Sequence, residues 1–147
     1  MLNLKLIEKV ILSEVKLLAK WRRKVQSLWH ETFKVTTKGT ADWLQKVIDN
    51  PDKHLYFVKK DGVPIGHVGF NVIDGDFHID NIIRGEGKSD GSMTKAVKKL
   101  INYNYIKTAY TLVFPDNKNA IKFYEKIGFI PHRMKGKYLQ MKYENSN

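Results

Sequence analysis

The apolar positions of this chain change their period along its length. Leu4 to Leu12 is apolar and partly alternating, which predicts a first strand, and Ser13 stands where it can cap a helix behind it. Leu18, Trp21, Val25, Leu28 and Trp29 then recur at helical spacing. After a looser stretch over residues 30–39, Thr40 is placed to cap a second helix, with Trp43, Leu44, Val47 and Ile48 on one face and Asn50-Pro51-Asp52 at its end. Two strands follow, Leu55 to Val58 and Pro64 to Val72, joined across Asp61-Gly62, a pair suited to positive φ. Asp74-Gly75-Asp76 turns into a strand over Phe77 to Ile83, and a glycine-rich loop runs from Arg84 to Gly91. Met93, Ala96, Val97, Leu100 and Ile101 then mark a helix. Thr108 to Phe114 reads as a strand, and Pro115-Asp116-Asn117 opens a last helix with Ala120, Phe123, Tyr124 and Ile127 on its buried stripe. Gly128 is the residue type expected just past a helix end. Phe129 to Tyr143 forms one or two closing strands around Lys135-Gly136-Lys137.

The predicted order is β-α-α-β-β-β-α-β-α-β, the alternation of an α/β domain. With 147 residues and no repeat or linker, the chain is expected to be a single domain over 1–147. Composition narrows the function classes. There is no cysteine, which excludes disulfide scaffolds, Cys-based zinc sites and a cysteine nucleophile. His, Asp and Glu do not cluster at ligand spacing, so no metal is expected. No apolar run is long enough to span a bilayer, and the N-terminal stretch resembles no signal peptide, so a cytoplasmic location is the default expectation. Lys plus Arg outnumber Asp plus Glu by 26 to 15, a net charge of +11 that favours polyanionic or phosphate-rich ligands.

The candidate chemistry begins at Arg84-Gly85-Glu86-Gly87-Lys88-Ser89-Asp90-Gly91-Ser92, between a strand and a helix. Glycines let backbone N–H groups approach a ligand, and the first amides of the following helix are free and lie at its positive end. Such a loop suits a pyrophosphate, with Arg84, Lys88 and Lys95 adding formal charge. It is no P-loop, since GxxxxGK[ST] is absent, and no dinucleotide fingerprint, since the third glycine is missing and the strand is a late one.

A second segment, Asn117 to Phe129, carries the pattern N-x-x-A-x-x-x-Y-x-x-x-G-F. With it the chain resembles the GNAT superfamily of acetyl-CoA-dependent N-acetyltransferases. That family's acetyl-CoA loop, R/Q-x-x-G-x-G/A, is met by Arg84, Gly87 and Ser89, with serine in place of glycine or alanine. The resemblance implies a mixed α/β fold: a bent mixed sheet of six to seven strands flanked by about four helices, splayed near Ile83 so that acetyl-CoA fits between two strands. It implies CoA contacts from Ile82, Ile83, Arg84, Gly85, Gly87, Lys88, Ser89, Gly91, Ser92, Met93, Asn117, Ala120, Phe123 and Tyr124. Because Ser89 to Ser92 separate the first glycines from Met93, the amides of Gly91, Ser92 and Met93 are an alternative seat for the pyrophosphate. Backbone N–H near Ile82 to Arg84 is expected to polarise the thioester carbonyl. Tyr124 matches the family tyrosine that protonates the CoA sulfur, although a core aromatic fits the same position.

The motif leaves the general base open. His78 and Asp80 share one side of their strand by two-residue spacing, His67 lies on the neighbouring strand, and a water chain or an amine arriving neutral would also serve. Arg22, His30 and His67 are candidates for the acceptor side. Trp21-Arg22, Thr40-Ala41-Asp42-Trp43 and Asp80-Asn81-Ile82-Ile83 resemble the GNAT branch that acts on amino sugars carried by nucleotides. The expected partner is therefore a small-molecule amine, a nucleotide sugar among the candidates, with neither a membrane nor nucleic acid as the favoured partner and a homodimer compatible with the sequence. A peptide or ribosomal-protein N-acetyltransferase of the same fold is one alternative. A non-catalytic module that senses acetyl-CoA or binds nucleic acid is another.

Overall fold

The computed structural model describes residues 1–26 and 34–145. Its elements follow the predicted alternation: β1 (Leu2–Leu6), α1 (Leu12–Val25), α2 (Thr37–Asp49), β2 (Lys53–Lys60), β3 (Val63–Ile73), β4 (Asp76–Arg84), α3 (Ser92–Tyr103), β5 (Thr108–Val113), α4 (Lys118–Ile127), β6 (Ile130–Lys135) and β7 (Tyr138–Glu144). The strands form one seven-stranded sheet in the order β1-β2-β3-β4-β5-β7-β6. All neighbours are antiparallel except β4 and β5, which are parallel and joined by a crossover through α3. This is the mixed sheet and four-helix architecture that the resemblance implies.

The central strands are buried on both faces, and alternate residues join two different cores, as Leu55 and Phe57 against Tyr56 and Val58 show. On one side Leu55, Phe57 and Ile83 pack with Val15, Leu18, Trp21, Leu44 and Val47 of α1 and α2. On the other, Val68, Phe70, Ile79, Ala109 and Met141 pack with Met93, Ala96, Val97, Leu100 and Ile101 of α3 and with Tyr124 and Ile127 of α4. All five apolar positions predicted for α3 are buried. Asp61 and Gly62, with φ of 52° and 83°, make the expected tight hairpin, and Asp74 and Gly75 repeat it. Gly128 ends α4 at φ 123°.

The N-terminal third departs from expectation at three points. The predicted strand over Leu4 to Leu12 is divided: β1 pairs with β2 from Leu2 to Leu6, and α1 begins at Leu12. The local pattern is ambiguous there, and pairing with a strand 50 residues away decides it. Ser13 lies inside the first turn of α1, whose N-cap is Ile11 with no side-chain cap bond. The cap of α2 is Thr36, whose hydroxyl accepts from Gly39 N at 2.9 Å, whereas Thr40 is buried one turn inside the helix. Leu28, Trp29 and His30 lie outside the described residues.

Candidate active site

β4 and β5 pair at Phe77 with Ala109 and at His78 with Tyr110, and then part. The parting begins at His78, several residues before the expected Ile83. Just beyond it, the Thr111 hydroxyl donates to the Ile79 carbonyl at 3.1 Å, replacing the ladder bond that the diverging strands no longer make. The gap opens into a cleft of about 480 Å³ lined by His78, Asp80, Asn81, Ile82, Thr111 and Tyr124, among others. A larger hollow of about 690 Å³ lies between β1 and α3, against Leu2, Leu4, Leu6 and Tyr56, away from these groups.

The fold thus brings Tyr124, Asp80 and His78 into one cleft. Tyr124 is 9% exposed, and burial raises its phenol above the ordinary value; a hydrogen bond with Thr111 lowers it in part, and the nearby Asp80 charge raises it. The phenol therefore keeps its proton at neutral pH. Burial pushes the Asp80 carboxyl up to about 6, against the lowering pull of Lys53 and of the Asn81 amide, whose Nδ2 donates to Oδ1 at 3.3 Å. Gly69, paired with Asp80 across β3 and β4, is closed to a side chain, since a Cβ there would stand 2.6 Å from the His54 carbonyl and 3.3 Å from Asp80 Oδ1. Burial, then Lys135, lowers His78, with Asp76 opposing. His78 and Asp80 share one face, as their spacing predicts.

Around the loop, the expected roles redistribute. α3 begins at Ser92, and its N-cap is Gly91 at φ 84°, a left-handed position natural to glycine. The first backbone bond of the helix runs from Lys95 N to Gly91 O, so the amides of Ser92, Met93 and Thr94 precede the ladder. Ser92 N donates to Asp90 Oδ1 at 2.9 Å. The same carboxylate accepts from Arg84 Nη1 and Lys60 Nζ, each at 2.7 Å, and these donors hold it well below the carboxylate range. Arg84 also donates from Nε to Glu86 O at 3.0 Å and folds over Gly87, where a Cβ would come within 2.9 Å of its Nη2. Arg84 is thus engaged inside the loop.

Gly85 and Ile83 depart from the expected cofactor contacts. The Gly85 amide donates to Ile65 O at 2.7 Å, and a Cβ on Gly85 would lie 2.1 Å from the Trp21 indole, so this glycine serves close packing. Ile83 is buried against α1 and α2, while Ile82 lines the cleft. α1 clasps the loop: Trp21 Nε1 donates to Glu86 Oε2 at 2.6 Å, Lys20 Nζ to the same carboxylate at 3.1 Å, and Lys24 Nζ to Gly85 O at 3.1 Å. Lys88 and Ser89 are exposed on its outer turn. Asn117 caps α4, accepting from Ala120 N at 3.1 Å, and Phe123 sits edge-on to Tyr124.

Of the acceptor-side candidates, Arg22 donates to Thr40 Oγ1 at 3.4 Å and lies 4.7 Å over the Trp43 ring, which draws it onto α2. His67 is 1% exposed and does not line the cleft. His30 lies outside the described residues. Sequence reasoning passed over Asp90 and Thr111, and also Tyr110, which joins His78 and His132 in a row of rings at 5.6 and 6.0 Å, with Lys142 Nζ 5.9 Å from its centre. The alternation of Thr108 to Val113 places Tyr110 on the face opposite Thr111. Among the described residues no three His, Asp or Glu side chains gather into a metal-binding group, and no helix is long and apolar enough to cross a membrane.

No curated protein matches the sequence significantly. Solved structures match over nearly the whole length. The chain is similar to the N-acetyltransferase PseH of Campylobacter jejuni in complex with acetyl coenzyme A, at 20% identity over 99% of this chain and 100% of that one, with a TM-score of 0.77. It is similar to FdhC, a nucleotide-linked sugar GNAT, at 13% identity over 97% and 86%, TM-score 0.80. It is also similar to AAC(6')-Ib in complex with ribostamycin and coenzyme A, at 22% identity over 97% and 93%, TM-score 0.80. At these identities the likeness establishes the fold. The model of the acetyltransferase (GNAT) family matches residues 18–129, three quarters of the sequence, and the chain belongs to that family: it is an acyltransferase with acetyl-CoA as its acyl donor.

Proposed function

We propose that this protein transfers acetyl from acetyl-CoA directly to a primary amine in the cleft between β4 and β5. The observation that carries the reading is the proton-holding phenol of Tyr124 in the gap between β4 and β5, where β4 runs directly into the glycine-rich loop before α3. These residues fit acetyl-CoA: the Gly91 and Met93 amides with Lys88 and Ser89 suit a pyrophosphate, while the Ser92 amide is held by Asp90, and Asn117, Ala120 and Phe123 flank the path towards Tyr124. When bound, acetyl-CoA supplies an acetyl group activated as a thioester. Amides near Ile82 polarise its carbonyl by hydrogen bonding that strengthens as charge develops on oxygen. Asp80, or neutral His78, accepts the proton of the attacking amine as the C–N bond forms. Tyr124 gives its proton to the sulfur as the C–S bond breaks.

The acceptor we favour is an amino sugar linked to a nucleotide. Beside the cleft, His78, Tyr110 and His132 offer ring faces, with Lys142 over Tyr110 and Lys135 close enough to bias His78. Ring faces suit a base, and lysines suit a diphosphate. Two of the similar structures, FdhC and AAC(6')-Ib, belong to a nucleotide-linked sugar GNAT and an aminoglycoside acetyltransferase. The supply of acetyl-CoA and of nucleotide sugars fits a cytoplasmic site of action.

The test is release of CoA, with mass spectrometry of the product, over a panel of nucleotide-linked amino sugars, free hexosamines, aminoglycosides and peptide N-termini. Turnover concentrated on the first group supports the acceptor assignment. Preference for peptides would transfer the protein to the peptide-acetylating reading, and stabilisation by acetyl-CoA with no turnover on any amine would make it a sensor.

A further inference from the structure

His67 is the one buried side chain among the described residues with a polar atom, Nε2, left without a hydrogen-bond partner. Its other nitrogen, Nδ1, is engaged with the backbone carbonyl of Asn81 at 2.5 Å. A carbonyl oxygen can only accept, so Nδ1 carries the proton and Nε2 is a bare lone pair. Burial lowers the imidazole to about 4, against the raising effect of the Asn81 bond, so the ring is neutral throughout the physiological range.

Asn81 is where β4 departs from regular pairing. The ladder with β3 pairs Gly69 with Asp80 and His67 with Ile83, so Asn81 and Ile82 together oppose Val68. Asn81 has a φ of 52°, the left-handed conformation of a bulge residue. This extra residue turns the backbone immediately before Ile82, which lines the cleft, and beside Asp80, to which the Asn81 side chain donates. The His67 ring is backed by the Trp21 indole, with ring centres 6.2 Å apart, and Trp21 in turn rests on Gly85 and donates to Glu86 in the loop. A chain of packed groups thus runs from the bulge through His67 and Trp21 to the loop before α3.

We propose that His67 is a positioning residue of acyl transfer: its Nδ1–H pins the Asn81 carbonyl and so fixes the β4 bulge that aims the amides near Ile82 at the thioester oxygen. The proposal rests on the acetyl-transfer reading above. The fold tolerates an unpaired Nε2 in its interior, an arrangement that suits a ring retained for what its other nitrogen holds. His67 is buried and does not line the cleft, so it acts through the backbone it holds.

The experiment compares His67→Leu, which removes the donor, with His67→Asn, whose side-chain N–H falls near the place of Nδ1–H. In His67→Leu, kcat is expected to fall at least about tenfold, part of the loss known for removing an oxyanion donor. Its acetyl-CoA affinity, measured by calorimetry, is expected to stay within about twofold of wild type, because the start of α3 is untouched. His67→Asn is expected to recover most of kcat. A folded His67→Leu protein with wild-type kcat would overturn the proposal, and so would equal losses in both variants, which would show that ring volume is what counts. Should His67→Leu not fold, nitrogen NMR of the wild-type imidazole decides: a neutral ring protonated at Nδ1 from pH 5 to 9 supports the lock, and protonation at Nε2 overturns it. A wild-type enzyme that acetylates no amine sinks the reaction reading instead, while the NMR result still reports on the His67–Asn81 bond.

Discussion

Burial raises the proton affinity of both Tyr124 and Asp80, with different consequences at the level of single residues. For Tyr124 the raised phenol means that the acid is fully protonated at pH 7 to 9. Tyr124→Phe is expected to lower kcat by about 10²-fold, within the range of general acid catalysis, with little change in the KM for acetyl-CoA. Wild-type kcat should show no basic limb from this group below about pH 10, its ordinary value. For Asp80 the value of about 6 places an acidic limb in kcat/KM near that pH if the carboxylate is the base. Asp80→Asn should abolish that limb; if the limb persists, His78 or the amine itself is responsible. The same shift has a thermodynamic sign. The native state binds this proton more tightly than the unfolded chain, so the contribution of Asp80 to stability is greatest below the ordinary carboxylate value and is lost as pH rises through about 6. Thermal melts should show the loss, on the order of 2–3 kcal/mol between pH 4 and pH 8, in wild type and largely absent in Asp80→Asn.

At the level of elements, what holds the site is the way α1, itself packed on α2, leans on the loop before α3. α2 starts at Thr36, so Thr36→Ala should lower stability by about 1 kcal/mol, read as a drop in Tm. A cap at Thr40 would predict no such loss. The helices and hairpins were legible from period and turn residues: the α3 stripe Met93 to Ile101 and the Asp61-Gly62 turn carry their own local signal. The extent of β1 and the two N-terminal caps were not, because Leu4 to Leu12 suits either strand or helix until Leu6 finds Tyr56. The site divides in the same way. Tyr124 and Asn117 came from a motif and His78 with Asp80 from strand alternation, all local patterns. Asp90 on Lys60, Trp21 on Gly85 and His67 on Asn81 join residues 14 to 64 positions apart, and no local pattern encodes them.

At the scale of the whole molecule, the +11 charge makes salt a discriminator of acceptors. Exposed charges act over about 8 Å at physiological ionic strength, so raising salt from about 50 to about 300 mM weakens steering without altering the buried cleft. A diphosphate-bearing amino sugar is drawn to this surface, and its KM should rise several-fold over that range. A neutral or singly charged hexosamine should respond little. An aminoglycoside is a polycation; the field opposes it, and its KM should fall as salt screens the repulsion. Acetyl-CoA carries phosphates of its own, so its KM should rise whichever acceptor is used, and acceptor KM is therefore measured at saturating acetyl-CoA for each salt concentration. An acceptor KM that falls with salt would count against a nucleotide-linked amine even if such an amine were turned over, since the cationic surface would then be aiding no part of its recognition.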